Sequence, residues 1–172
     1  MIEFFNTILS IGTILFIIFA ITLFALTKAN PKNNIVIFIA RHATIISFVA
    51  TITAVIGSLI YSNGIGYTPC VLCWWQRIFI YPLPILFGIA LYRRNKENIF
   101  PYTSALAFIG ILFSTYHSYL YYGGYSPLPC SAEATCTQRF VFEFGFVTIP
   151  FMALSIFLLV LSIAYARKKL TK

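Results

Sequence analysis

Cys70-Val71-Leu72-Cys73-Trp74-Trp75-Gln76-Arg77 runs without a break into Ile78-Phe79-Ile80-Tyr81-Pro82-Leu83-Pro84-Ile85-Leu86-Phe87-Gly88-Ile89-Ala90-Leu91-Tyr92. From Trp74 to Tyr92 the strongly polar residues are Gln76 and Arg77, both near the start. About 20 apolar residues in a helix, rising about 1.5 Å each, cross the roughly 30 Å hydrocarbon core of a bilayer. The stretch therefore reads as a transmembrane helix with two thiols at its mouth. A C-x-x-C spacing brings two sulfurs within reach of a reversible disulfide, whose reactivity follows access and local pKa.

Four further stretches satisfy the same length rule: Phe4–Leu26, Ile35–Tyr61, Pro101–Tyr122 and Phe146–Ala166. Composition agrees. Of 172 residues, 60% are hydrophobic and only 9% charged, where soluble domains average about 25% charged. Lipid must solvate such a surface. The net charge of +8 invites a nucleic-acid reading, but the basic residues sit in short clusters between apolar runs and no nucleic-acid motif is visible. A lipid bilayer is the expected partner, and no nucleic acid is. Arg41, near the start of the second span, can snorkel to the headgroups. Pro82 and Pro84 remove backbone donors and should kink or loosen the third. The first span carries Glu3 instead of a basic leader and exceeds the usual signal-peptide run, so it reads as a retained helix.

Charge gives the orientation. One set of span ends holds Lys28, Lys32, Arg41, Arg93, Arg94, Lys96, Arg167, Lys168, Lys169 and Lys172, with Glu97 the single acid. The other holds Arg77 and Arg139 with Glu3, Glu133 and Glu143. The positive-inside rule puts the first set in the cytoplasm. Five spans then place the N-terminus outside, the C-terminus inside, and Cys70, Cys73, Cys130 and Cys136 on the oxidising, extracytoplasmic face.

A thiol where a loop enters a helix feels unpaired backbone N–H groups and the positive helix end, which favour the thiolate. Cys70 and Cys73 are so placed. An inert disulfide and half of a zinc site are the competing readings, but the five residues between Cys130 and Cys136 match zinc-ligand spacing poorly, so no metal is expected. Arg77 lies one turn beyond Cys73 on the same face. It serves either as a snorkelling anchor or as a hydrogen-bond donor to the carbonyl of a lipid-soluble acceptor. Trp74 and Trp75 suit an interfacial belt, and the same rings can wall an aromatic ligand. His117, near the outer end of the fourth span, is either hydrogen-bonded structure or an intramembrane group that handles protons. Cys130 and Cys136 lie in the loop 123–139, read as aqueous, either as a structural clip or as an exposed, attackable disulfide. Phe140-Val141-Phe142-Glu143-Phe144 can lie along the interface and hold that loop near the surface. Two redox pairs on one face suggest a relay.

These residues resemble the DsbB/BdbC family of disulfide bond formation proteins, most closely its BdbC-like branch, over about Ile35 to Lys169. The resemblance rests on Gly57-Ser58-Leu59, Pro69-Cys70-Val71-Leu72-Cys73-Trp74-Trp75-Gln76-Arg77-Ile78, Tyr81-Pro82, Ser114-Thr115-Tyr116-His117, the closely spaced second pair, and Phe144-Gly145-Phe146-Val147-Thr148-Ile149-Pro150-Phe151. Gln76 stands where many proteobacterial members carry an acid. The resemblance implies an all-α integral membrane protein with a four-helix transmembrane bundle (35–172). Residues 1–34 add an N-terminal transmembrane helix and a cytoplasmic loop. It implies a bacterial cytoplasmic (inner) membrane location and electron flow from a secreted or membrane-anchored DsbA/BdbD-like thioredoxin-fold thiol oxidase to membrane quinone, menaquinone or ubiquinone. The DsbA–DsbB–quinone relay is what keeps the bacterial periplasm oxidising. On this reading Cys70, Cys73, Cys130 and Cys136 are catalytic, the partner attacks at Cys130, and Arg77, His117 and Trp74 serve the quinone. The competing functions are a vitamin-K-epoxide-reductase-like quinone reductase and a non-catalytic membrane factor holding a Cys-ligated metal.

Overall fold

The computed structural model describes residues 2–93, 99–124, 136, 138 and 140–170. Its helices are α1 (Ile2–Ala29), α2 (Asn34–Arg41), α3 (Ala43–Leu59), α4 (Val71–Ile80), α5 (Pro82–Tyr92), α6 (Phe100–Tyr121) and α7 (Ile149–Leu170), with a π-helical turn, Ile60–Gly64, prolonging α3. No strand forms among the described residues. A lone β-bridge joins Glu143 and Val147 around a turn in which Phe144 (φ 54) and Gly145 (φ 77) are left-handed.

Among the described residues, four helical stretches are long and apolar enough to cross a membrane: Ile2–Ala29, Ala43–Gly64, Val71–Tyr92 and Ile149–Leu170. Helix α6 has the length, at 22 residues, but its Thr, Ser, Tyr and His residues make it less apolar. Several of those polar residues point inward. Thr103, Ala107, Gly110, Ser114, His117 and Tyr121 recur at helical spacing and are buried, whereas Phe108, Ile109, Leu112 and Tyr119 are exposed. This reverses the pattern of a soluble amphipathic helix. Lipid tails are as apolar as leucine, so membrane helices associate through small residues and polar contacts. Helix α1 repeats the pattern, burying Asn6, Ser10, Thr13 and Thr27 and exposing Ile8, Ile11, Leu15 and Ile18. The architecture is the all-α membrane bundle with an additional N-terminal helix that the sequence implied.

Three boundaries shift. The second span begins at Ala43 rather than Ile35, because the chain leaves helical geometry at His42 (φ −99, ψ 12). Helix α2 is a separate short element whose start is capped by the Asn33 side chain, which accepts the Ile35 N–H at 2.9 Å. Its other end is held by Arg167, whose Nη1 donates to the Ala40 carbonyl at 2.9 Å. The third span is interrupted at Tyr81, giving α4 and α5, as prolines at 82 and 84 require. The last helix starts at Ile149, after the Glu143–Val147 turn, rather than at Phe146.

Helix α7 is central, packing on α1, α6, α2 and α3. A Cβ on Gly110 of α6 would sit inside the ring of Phe157, itself fully buried, so that glycine sets how closely α6 and α7 approach. At one end of the bundle the Phe5 ring meets Tyr61 (5.5 Å between centroids), near the mouth of α4. At the other, Phe24 meets Tyr165 (5.2 Å). The described basic residues Lys28, Arg41, Arg93, Arg167, Lys168 and Lys169 sit on helix ends opposite the one carrying Cys70. Arg94, Lys96, Glu97, Glu133, Arg139 and Lys172, also used in the orientation reading, lie outside the described residues.

Candidate active site

Gly66 (φ 86) turns the chain into the approach to α4, and Cys70 becomes that helix's N-cap. Its sulfur accepts the Cys73 N–H at 3.4 Å. One helical turn thus sets the two sulfurs 3.2 Å apart, a small movement from the roughly 2.05 Å of a disulfide bond. The Cys70 thiol is pushed up to about 12, first because it donates its hydrogen to the Cys73 sulfur and then by burial, while the His117 hydrogen bond pulls the other way. The expectation that the helix mouth would favour a Cys70 thiolate is therefore reversed in the dithiol form.

The two sulfurs face different surroundings. Cys70 is buried with Leu72, Leu120 and Cys136. Its sulfur lies 3.6 Å from His117 Nε2. The same Nε2 is 3.2 Å from the Cys136 carbonyl oxygen, and His117 Nδ1 is 3.2 Å from the Gln76 side-chain nitrogen. A carbonyl only accepts and an amide NH2 only donates. This partner set therefore assigns the ring hydrogen to Nε2, directed at Cys136 and Cys70, with Gln76 donating to Nδ1.

Cys73 instead lines a cavity of about 320 Å³ enclosed by α1, α3, α4 and α7, mostly apolar, with Arg77 on its wall. Arg77 is held in a fork: Nε donates to Ser58 Oγ at 3.1 Å and Nη2 to the Ser58 carbonyl at 3.2 Å. Its guanidinium also lies 5.3 Å from the centre of the Trp74 ring, within cation–π range. The π-helical turn begins two residues beyond Ser58, and such turns recur at functional sites. Tyr61 stacks on Tyr67 (5.8 Å) and Tyr67 on Phe140 (4.5 Å), and all three line the same cavity.

The structure brings Cys70, Cys73, Arg77, His117 and Cys136 to one end of the bundle. Cys130 lies outside the described residues. Cys136, expected in an aqueous loop, is only 3% exposed and packed against the Cys70 cluster. His117 sits behind the cysteine pair and Trp74 flanks Arg77; neither lines the cavity. Trp75 stacks on Phe113 at 5.1 Å. Three contributors carried no assigned role in the sequence: Gln76, visible there only as a polar residue in an apolar helix; Ser58, visible only within Gly57-Ser58-Leu59; and the Tyr61–Tyr67–Phe140 stack, which no local pattern announces. The ligand atoms of Cys70, Cys73 and His117 lie within 4.8 Å of one another, three of the four positions a structural zinc takes.

Comparison with known proteins converges on this region. The sequence model for "Disulfide bond formation protein DsbB" matches residues 40–166. Disulfide bond formation protein C of Bacillus subtilis is 36% identical over 133 residues, covering 76% of this chain and 91% of that protein. A probable disulfide formation protein of Oceanobacillus iheyensis is 36% identical over 128 residues, 70% of this chain and 85% of that protein. The SPbeta prophage-derived disulfide bond formation protein B of Bacillus subtilis is 36% identical over 107 residues, 62% of this chain and 72% of that protein. No solved structure matches. Cys70, Cys73, Arg77 and His117 all fall within the matched segment, and the chain belongs to the DsbB family, as a multi-pass membrane oxidoreductase of disulfide bond formation.

Proposed function

We propose that the chain is a thiol:quinone oxidoreductase that reoxidises an extracytoplasmic thioredoxin-fold thiol oxidase and delivers the electrons to membrane quinone. The observation that carries this reading is the division of the C-x-x-C pair. Cys73 opens on a mostly apolar cavity beside Arg77, while Cys70 is buried against Cys136 and His117. One sulfur thus addresses the membrane and the other addresses the second pair. At about 320 Å³ the cavity is within the roughly 300–1,000 Å³ of small-molecule sites, and apolar walls with few polar groups suit a quinone ring.

The partner's thiolate attacks Cys130 of a Cys130–Cys136 disulfide, and its second thiol releases the partner as a disulfide. Cys136 packs against the Cys70 cluster, so exchange between the two pairs runs through Cys136 and Cys70. Cys130–Cys136 is thereby restored and Cys70–Cys73 becomes the dithiol. Reclosing that disulfide releases two electrons and two protons. Quinone, when bound, accepts both and leaves as quinol. Arg77, fixed by Ser58, offers positive charge where a quinone oxygen becomes negative. His117 Nε2–H stabilises the Cys70 thiolate as its proton leaves. The chain resides in the bacterial cytoplasmic membrane, N-terminus outside and C-terminus inside, with the cysteine end extracytoplasmic. Residues 35–172 form the catalytic membrane domain and 1–34 an added helix and loop.

Anaerobic mixing of the purified full chain with a reduced thioredoxin-fold donor and quinone, followed by quinone absorbance, tests the proposal. One quinol per dithiol oxidised is expected. Absence of quinol formation would overturn it. Stoichiometric zinc in protein that reduces no quinone would favour the alternative that the Cys70, Cys73 and His117 cluster suggests.

A further inference from the structure

Helix α1 lies outside the 40–166 segment that the family model matches, yet it walls the Cys73–Arg77 cavity through Leu9, Gly12, Thr13 and Phe16. Its start is pinned to the cavity rim. The Tyr61 hydroxyl donates to Asn6 Oδ1 at 3.0 Å, and both residues are buried. In front of Gly12 the space is open: a Cβ there would meet nothing within 4 Å.

The cavity does not end at α1. Phe16 and Thr53 line both it and a second hollow of about 730 Å³ between α1 and α3, floored by Leu159 of α7. From Gly12 to Thr22 the two hollows extend along α1 for about 15 Å, at 1.5 Å per residue. The walls of the second are apolar apart from Thr22 and Thr53. Both hydroxyls donate back into their own helices, Thr22 to the Ile18 carbonyl and Thr53 to the Val49 carbonyl, each at 2.8 Å. Neither has a hydrogen left to offer an occupant. The groove is therefore built for a hydrocarbon chain, and it leads from lipid depth to the cavity that Cys73 lines.

We propose that α1 is a tail-binding element: a quinone with a long polyprenyl tail sets its ring beside Cys73 and Arg77 and runs its tail along the α1–α3 groove. This rests on the quinone reading above and assigns the additional helix a part in selecting the substrate. A phospholipid acyl chain would suit the groove alone; continuity with the Arg77 cavity favours a ligand that has a polar ring at one end and an apolar tail at the other.

The test uses the purified full chain in lipid nanodiscs and a long-tailed quinone carrying a photoreactive group at its tail end. Crosslinks are expected on α1 and α3 near Phe19, Thr22 and Ile45, and should be lost on adding unlabelled long-tailed quinone. In parallel, Thr22→Trp and Ile45→Trp fill the groove from opposite walls, away from the cavity. Each should raise the KM for long-tailed quinone, relative to that for a tailless quinone, by about tenfold, a change of about 1.4 kcal/mol. Crosslinks confined to other helices, or displaced by phospholipid but not by quinone, overturn the assignment. So does an unchanged KM ratio in both variants. If the wild-type chain reduces neither quinone, the oxidoreductase reading falls and takes this one with it. If it reduces both without an α1 crosslink or a KM effect, only the role of α1 falls.

Discussion

At the scale of single residues, the site turns on two side chains that face opposite sulfurs. Arg77 makes its fork onto Ser58 with Nε and Nη2, a planar geometry that a lysine ammonium does not reproduce. Arg77→Lys is expected to raise the quinone KM or slow quinone reduction by about tenfold, from the 1.5–3 kcal/mol typical of a hydrogen bond to a charged group. Thiol exchange with the partner should stay near wild type. Wild-type quinone kinetics in a folded variant would return Arg77 to a snorkelling anchor. His117 works on the other sulfur. With the Cys70 thiol raised to about 12, the dithiol keeps that proton throughout pH 7–9. Closing the disulfide needs that proton removed, so single-turnover reoxidation of pre-reduced protein at saturating quinone should be faster at pH 9 than at pH 7, and a rate independent of pH would contradict it. His117→Phe removes the hydrogen bond that pulls the Cys70 thiol down, so reoxidation should be slower at each pH, by about tenfold.

At the scale of helices, hydropathy locates the spans but not the faces that meet. The C-x-x-C at a helix mouth, Arg77 one turn on and the proline break at Tyr81 were legible because they are local in sequence. The Gln76–His117 contact joins residues 41 positions apart, and Arg77–Ser58 joins residues 19 apart; nothing in either neighbourhood encodes its partner. Burial of Cys136 was missed for the same reason, since a Gly-, Ser- and Pro-rich loop reads as aqueous wherever it docks. The helix break at His42 was passed over because Arg41 and His42 interrupt the apolar run for only two residues, and Arg41 read as a snorkelling residue within one span. Inward-facing small and polar residues do leave a trace, as the period of Thr103, Ala107, Gly110, Ser114 and His117 shows. Gly110 gives that trace an energetic test. Gly110→Ala drives a methyl into the Phe157 ring, and overpacking of this kind costs about 1–3 kcal/mol. The midpoint of thermal unfolding in detergent should fall, with partial recovery in Gly110→Ala/Phe157→Leu. No loss of stability would mean that α6 and α7 are free to separate.

At the scale of the whole molecule, Lys28, Arg41, Arg93, Arg167, Lys168 and Lys169 lie at the end of the bundle opposite Cys70, Cys73 and Cys136, while Arg77 stays with the cysteines. The orientation proposed from charge can be read by labelling. A cysteine in place of the exposed Asn63, in the turn before α4, should react with a membrane-impermeant thiol reagent in intact cells. A cysteine in place of Lys28 or Lys169 should react only after permeabilisation. The reverse result would invert the topology and put the redox pair in a reducing compartment.

The central position of α7 also has a consequence in time. Helix α1 is the first described helix to leave the ribosome and α7 the last, yet α1, α2, α3 and α6 all pack on α7. At the usual 5–20 residues per second, synthesis of the intervening chain takes on the order of ten seconds. Throughout that interval the earlier helices are inserted but have no central neighbour, and the hollow beside Cys73 lacks its Ile149–Ile156 wall. The nascent protein thus carries its thiols on the membrane before it has an enclosed place to discharge them, and catalytic competence arrives with the final helix.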